Sequence, residues 1–246
     1  MRAFLMTGGK CRALAVVAGL GAALYAVAPA VASGDPVHGT RRALVPAGVG
    51  RTDAPQPAAT KAGPAFVCAV TITGSVNGGL VVPSGERYCL KGARVNGTAS
   101  VRGGGDVIIE DSTINGGLRS TEGAAGVRIC SSRVNGTTTI QNGQNRILIG
   151  ADIDDGSTEC PGNTLHGAVT ITSNRGVIEL EANWITGGLT LIGNEGVAFE
   201  GSDEGAEIEL NRIAGPLICQ SNSPAPVNDG LPNKVTGPEL GQCAGF

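Results

Sequence analysis

The sequence predicts an all-β protein, a single-stranded parallel β-helix of about eight coils, each of about 20 residues and the whole stapled by disulfides. Three observations predict it. A short phrase, Val76-Asn77-Gly78-Gly79-Leu80-Val81-Val82, keeps returning along the chain. The residues that follow it alternate apolar and polar with a period of two. Six of the seven cysteines fall into pairs separated by about one repeat.

The phrase recurs at Val95-Asn96-Gly97, Ile114-Asn115-Gly116 and Val134-Asn135-Gly136, then more loosely at Leu165, Ile185, Ile213 and Val235. Glycine stands two residues after the aliphatic anchor in all eight copies, and the anchors are spaced 19, 19, 20, 31, 20, 28 and 22 residues apart. A fixed period with local insertions marks a solenoid, in which each unit buries its apolar face against its neighbours. A sandwich or an up-and-down barrel also has short strands and tight corners. Those folds alternate strand direction and need no repeated phrase. The expected helix is right-handed, and at about 4.8 Å per coil it is a rod on the order of 40 Å long.

Taken in order, residues 1–32 read as a secretory signal. Arg2, Lys10 and Arg12 precede an apolar run from Ala13 to Ala28, and Ala30-Val31-Ala32 supplies a small-x-small cleavage pattern before Ser33. The run is shorter than the ~20 residues that a membrane span needs. Residues 33–65 carry five prolines without apolar periodicity and read as a flexible tether. Residues 66–246 form the β-helix.

Within each unit, inward positions follow the glycine: Leu80 and Val82, Leu118, Val169 and Ile171, Leu189 and Leu191, Leu217 and Cys219. A polar corner such as Gly103-Gly104-Gly105 leads to a second β run, Val107-Ile108-Ile109 or Ile147-Leu148-Ile149. Small or amide residues precede most anchors (Ala93, Ser112, Ser132, Asn163, Asn183, Asn211), where they suit a bend. Asn-Gly after the anchor suits a turn with positive φ.

Removing the signal leaves 15 of the 18 basic residues against 21 acidic ones, a net charge of −6. Along the sequence no run of Lys and Arg suggests a nucleic-acid partner. Cys11 leaves with the signal. The repeat then pairs Cys68 with Cys89, Cys130 with Cys160 and Cys219 with Cys243, each joining neighbouring coils within disulfide reach. Two of these cystines stand at the ends of the rod, where open strand edges otherwise invite self-association.

Two acidic insertions are the candidate sites for chemistry. The first holds Asp152, Asp154, Asp155 and Glu159 and approaches, without matching, the calcium-loop pattern D-x-D-x-D-G; the second spans Glu200 to Glu207. Together they suit Ca2+ or an acid/base pair presented to a sugar chain. No cofactor motif is present. A single histidine, His166, lies in the repeat region and reads as a turn residue. Asn77, Asn96, Asn115 and Asn135 are expected to stack as a hydrogen-bonded turn ladder along the rod. Thr-x-Thr triplets recur in only some units, too irregularly for an ice-binding array.

The repeated [Val/Ile]-Asn-Gly-Gly-Leu phrase, the segment from Ile213 to Pro226 and the ending Gly241-Gln242-Cys243-Ala244-Gly245-Phe246 resemble a family of small exported proteins of high-GC Gram-positive bacteria. The resemblance covers roughly Cys68 to Phe246 and implies a parallel β-helix, with no activity attached. The Gly-x-Leu-x-Val rhythm is more faintly similar to bactofilins, polymer-forming β-helical scaffolds. The expected function is a non-catalytic exported structural or binding module at the cell surface or in the extracellular matrix. Its expected partner is extracellular glycan or cell-wall material. The alternative is a pectate-lyase-like polysaccharide lyase or hydrolase working through the acidic loops and Ca2+.

Overall fold

The computed structural model describes residues 67–151, 160–196 and 205–246. The expected leader, the tether and both acidic insertions up to residue 204 lie outside them. All regular structure among the described residues is β-strand.

Each of the first seven coils contributes one strand to each of three parallel sheets, and the eighth contributes to two of them. The third coil illustrates the pattern, with strands Asp106–Glu110, Thr113–Ile114 and Leu118–Ser120. Sheet A stacks seven strands from Val70–Ile72 to Glu207–Glu209. Sheet B stacks eight two-residue strands from Ser75–Val76 to Lys234–Val235. Sheet C stacks eight strands from Leu80–Val82 to Glu239–Gly241. Every strand pairs with its equivalent in the next coil, so the repeat in the sequence becomes a register in space. Val76, Val95, Ile114, Val134, Leu165, Ile185, Ile213 and Val235 form one continuous file. The expected parallel β-helix of eight coils is the observed fold.

The core lies inside the three sheets and is built from such files. Ile109, Ile129, Ile149, Leu180 and Ile208 line sheet A, and Val82, Val101, Ile140, Ile171, Leu191 and Cys219 line sheet C. All are buried. With branched aliphatics repeated on one face, in-register stacking packs like against like, and removing each from water contributes about 1.5–3 kcal/mol. A few core positions are polar. Thr138 stands between Leu118 and Val169 in its file, and its hydroxyl is buried without a hydrogen-bond partner.

Sharp corners are needed to fold each coil into a triangle. Between sheets A and B a left-handed residue recurs at Gly92, Asp111, Ser131, Gly162, Ala182 and Leu210. At the ends of the sheet C strands it recurs at Asn142, Ser173, Gly193, Ser221 and Gly241. The residue that follows turns inward, and in the later coils it is asparagine. The amides of Asn163, Asn183, Asn211 and Asn233 hydrogen-bond in sequence up one corner at 2.9 to 3.0 Å. Those of Asn174, Asn194, Asn222 and Gln242 do the same up the other at 2.8 to 3.0 Å. Each side-chain oxygen also accepts a backbone N–H from the preceding coil, as Asn183 does from Asn163 at 3.1 Å. The corners thus satisfy backbone groups that a buried bend would otherwise orphan.

The glycine after each anchor has a different cause from the one expected. Only Gly78 of that file has positive φ. At Gly97, Gly116, Gly136, Gly167, Gly187, Gly215 and Gly237 a Cβ would lie 2.6 to 2.7 Å from backbone of the coil before. Close approach of stacked backbones, not turn geometry, excludes a side chain there.

The cysteines pair as the spacing predicts: Cys68–Cys89, Cys130–Cys160 and Cys219–Cys243, with Cα separations of 5.8, 5.3 and 5.3 Å. The first and third lie in the first two and last two coils. Cys219 and Cys243 are part of the core itself.

Candidate functional site

Because strands stack in register, each outward position generates a file of side chains along the helix axis. Two such surfaces concentrate chemistry.

The first is the outer face of sheet A. Ile178 and Leu180 point into the core, so the alternating Glu179 and Glu181 face outward. Their register partners in the next strand are Glu207 and Glu209. Four glutamates therefore share one patch on two strands about 4.8 Å apart. Glu179 accepts a hydrogen bond from Arg146 Nη2 at 2.6 Å, in an ion pair between neighbouring coils. Although they lie on the side of the sheet away from the core, Glu179, Glu181 and Glu209 are all buried. Among the described residues, no group of three or more His, Cys, Asp or Glu side chains has the arrangement to hold a metal ion. The expected Ca2+ ligands Asp152, Asp154, Asp155 and Glu159 lie outside the described residues, as does the second insertion up to Glu204. Of that second loop, Glu207 is placed, and it opens the last strand of sheet A.

The second surface is the outer face of sheet B. The residue before each aliphatic anchor points outward, giving the file Ser75, Arg94, Thr113, Arg133, Thr164, Trp184, Arg212, Lys234. The residue after each anchor gives a second file: Asn77, Asn96, Asn115, Asn135, His166, Thr186, Ala214, Thr236. Neither file contains a carboxylate. The expected turn ladder is present in the second. Asn96, Asn115 and Asn135 each donate from Nδ2 to the amide oxygen one coil back, at 3.1, 2.9 and 3.1 Å. The ladder is exposed, unlike the corner ladders.

Among the described residues, cations on this face differ from most of those elsewhere, Arg119 and Arg128 excepted. Arg87, Lys91, Arg102, Arg146 and Arg175 each pair with an acidic residue of a neighbouring coil. Among the described residues, Arg94, Arg133, Arg212 and Lys234 have no acidic partner within ion-pair distance, and all four are exposed. Trp184 sits among them 48% exposed. It neighbours Arg212 in register, and its ring lies 6.4 Å from that of His166, tilted by 58°. His166 Nε2 in turn contacts Arg133 Nη1. Thr186 Oγ1 donates to the His166 carbonyl at 2.6 Å. His166, which directly follows a sheet B strand, is therefore a member of a polar cluster. Beside this file, the corner between sheets A and B forms a shallow groove of about 570 Å3 that reaches Arg133, Thr164 and Trp184 and has the carboxylate of Asp111 on its far side.

These cations form no run along the sequence, because they lie about one to three repeats apart. The relevant periodicity is that of the repeat. Writing the eight units beneath one another and reading the position before the anchor shows the four cations and the tryptophan in one line.

Fold and cystines together define a disulfide-stapled parallel β-helix, whose described residues include no helix long and apolar enough to cross a membrane. Compared with protein-family models, curated proteins and solved structures, the chain gives no match.

Proposed function

We propose that the protein is a non-catalytic exported β-helix serving as a structural or binding module at the cell surface or in the extracellular matrix, with extracellular glycan or cell-wall material as its partner. The observation that carries this reading is the outer face of sheet B, an exposed double file of amides, hydroxyls, cations without acidic partners and one tryptophan held in register by eight coils. A rigid scaffold spends little conformational entropy when an extended polymer lies along it. Three cystines support export, because such bonds persist in oxidising compartments. The resemblance to exported proteins of high-GC Gram-positive bacteria supports the same reading.

One observation favours a second reading, a polysaccharide-active enzyme of lyase or hydrolase type using Ca2+. Glu179, Glu181, Glu207 and Glu209 gather on sheet A beside Arg146, and paired carboxylates are the usual apparatus for glycosidic chemistry.

A glycan panel assayed with and without Ca2+, following both binding and unsaturated products, separates the two. The module reading expects binding that forms no product and does not depend on Ca2+. Product formation that is lost in Asp154→Ala or Glu181→Gln would replace it with the enzyme.

A further inference from the structure

We infer that the outer face of sheet B is a docking strip for an acidic polysaccharide in which carboxylated sugars are separated by uncharged ones; this rests on the binding-module reading above. Four independent features of the strip converge on that ligand.

The sign of the charge is the first. The chain is acidic overall, yet Arg94, Arg133, Arg212 and Lys234 occupy one file with no carboxylate in it or in the adjacent file. Elsewhere the ion pairs join neighbouring coils, so five other cations are already neutralised. The strip gathers four cations without acidic partners into one file, and charges of one sign along a surface attract a complementary polymer.

The spacing is the second. Arg94 and Arg133 stand two strands apart, Arg133 and Arg212 three, and Arg212 and Lys234 one. At about 4.8 Å per strand these intervals are about 10, 14 and 5 Å, and the file spans about 29 Å. A nucleic-acid strand carries a phosphate about every 3.4 Å along its axis and would leave most of them unmatched here. A glycan with charges diluted by neutral sugars fits the intervals.

The lining between cations is the third. Thr113 and Thr164 in the first file and Asn115, Asn135 and Thr186 in the second offer hydroxyls and amides, which suit sugar hydroxyls rather than an apolar partner. Trp184 is the fourth. It is the sole tryptophan of the chain and presents half of its surface to solvent between Thr164 and Arg212. An exposed indole offers an apolar face to the C–H side of a sugar ring and an N–H to its hydroxyls. The guanidinium beside it takes a carboxylate through two parallel hydrogen bonds.

Having one tryptophan makes the strip its own reporter. Hyaluronate, in which every second sugar bears a carboxylate, is titrated into the full-length protein while Trp184 emission is followed. Dextran serves as the neutral control and single-stranded DNA as the densely charged one. The expected result is a saturable change in emission with hyaluronate, weakened by salt, and none with dextran. The double substitution Arg133→Gln/Arg212→Gln should weaken binding by about tenfold or more, the scale of one or two charge-assisted contacts. Arg119→Gln, an exposed cation on the outer face of sheet C, should leave it within about twofold, because surface charges beyond the site are largely screened.

Equal weakening by Arg119→Gln would overturn the strip, as would tighter binding of DNA than of hyaluronate. Far-UV circular dichroism of each variant checks that the coils are intact. If the panel finds a bound glycan while Trp184 emission and the double substitution are both silent, the strip is wrong and the module reading stands. If no glycan binds by any readout, the module reading fails and takes the strip with it.

Discussion

Asn183 shows how one amide binds three coils together. Its oxygen accepts from the N–H and Nδ2 of Asn163 in the coil before, at 3.1 and 2.9 Å. Its Nδ2 donates to the Ile149 carbonyl at 2.6 Å and to Asn211 Oδ1 at 3.0 Å, the latter in the coil after. It is 1% exposed, so none of these groups can turn to water instead. Asn183→Ala is therefore expected to cost about 3 kcal/mol, because it strands a buried carbonyl, an N–H and an amide. Asn115→Ala removes the same chemistry from an exposed ladder and should cost less than about 0.5 kcal/mol. Urea midpoints of the two variants check the contrast, and equal shifts would deny that burial makes the ladder count. The sequence marked both kinds of asparagine, but as bend and turn residues. Amides that precede an anchor and amides that follow it look alike in a string of letters. Only the left-handed residue before Asn183, and its counterpart before Asn194, turn those side chains inward. The glycines after the anchors were legible as a column and misread as turns, because the contact that excludes their side chains comes from the preceding coil, about 20 residues away.

At the scale of elements, each sheet is a stack of short strands with few local contacts, and stability comes from neighbour upon neighbour. Two-residue strands such as Trp184–Ile185 persist only because the coils above and below fix them. In such a stack the last coil has one neighbour, and Cys219–Cys243 ties it to the one before. The replacement of both cysteines by alanine is expected to lower stability by about 3 kcal/mol, given the loop of 24 residues that the bond closes. The loss should be local. Amides of Leu217–Gln220 and Glu239–Gly241 should exchange faster, while those of Asp106–Glu110 and Gly126–Cys130 keep their protection. Hydrogen exchange read by mass spectrometry checks this, and loss of protection spread evenly over the sheets would contradict a nearest-neighbour stack. The cystines were readable in advance because their separations match the repeat. The corner ladder ending in Gln242 was not, since its members sit in the polar corners between strands, where the period-of-two pattern is silent.

At the scale of the molecule, coiling converts a one-dimensional repeat into files that run the length of the helix. That conversion makes two carboxylate-free files on an acidic chain, and it gathers Arg94, Arg133, Arg212 and Lys234 from distant parts of the sequence. It also sets Glu179, Glu181, Glu207 and Glu209 side by side on another face. Every functional reading given above depends on this stacking, and it can be measured without reference to any ligand. Ser100, Thr190 and Leu240 occupy equivalent outward positions in sheet C, with Thr190 four strands and Leu240 six strands from Ser100. Spin labels on Ser100→Cys/Thr190→Cys and on Ser100→Cys/Leu240→Cys, introduced with the native cystines intact, report the two distances by pulsed dipolar spectroscopy. At about 4.8 Å per strand, coil upon coil predicts separations near 19 and 29 Å, differing by about 10 Å. Two distances that are equal, or that shorten toward the C-terminal label, would mean that neighbouring segments do not climb one axis together.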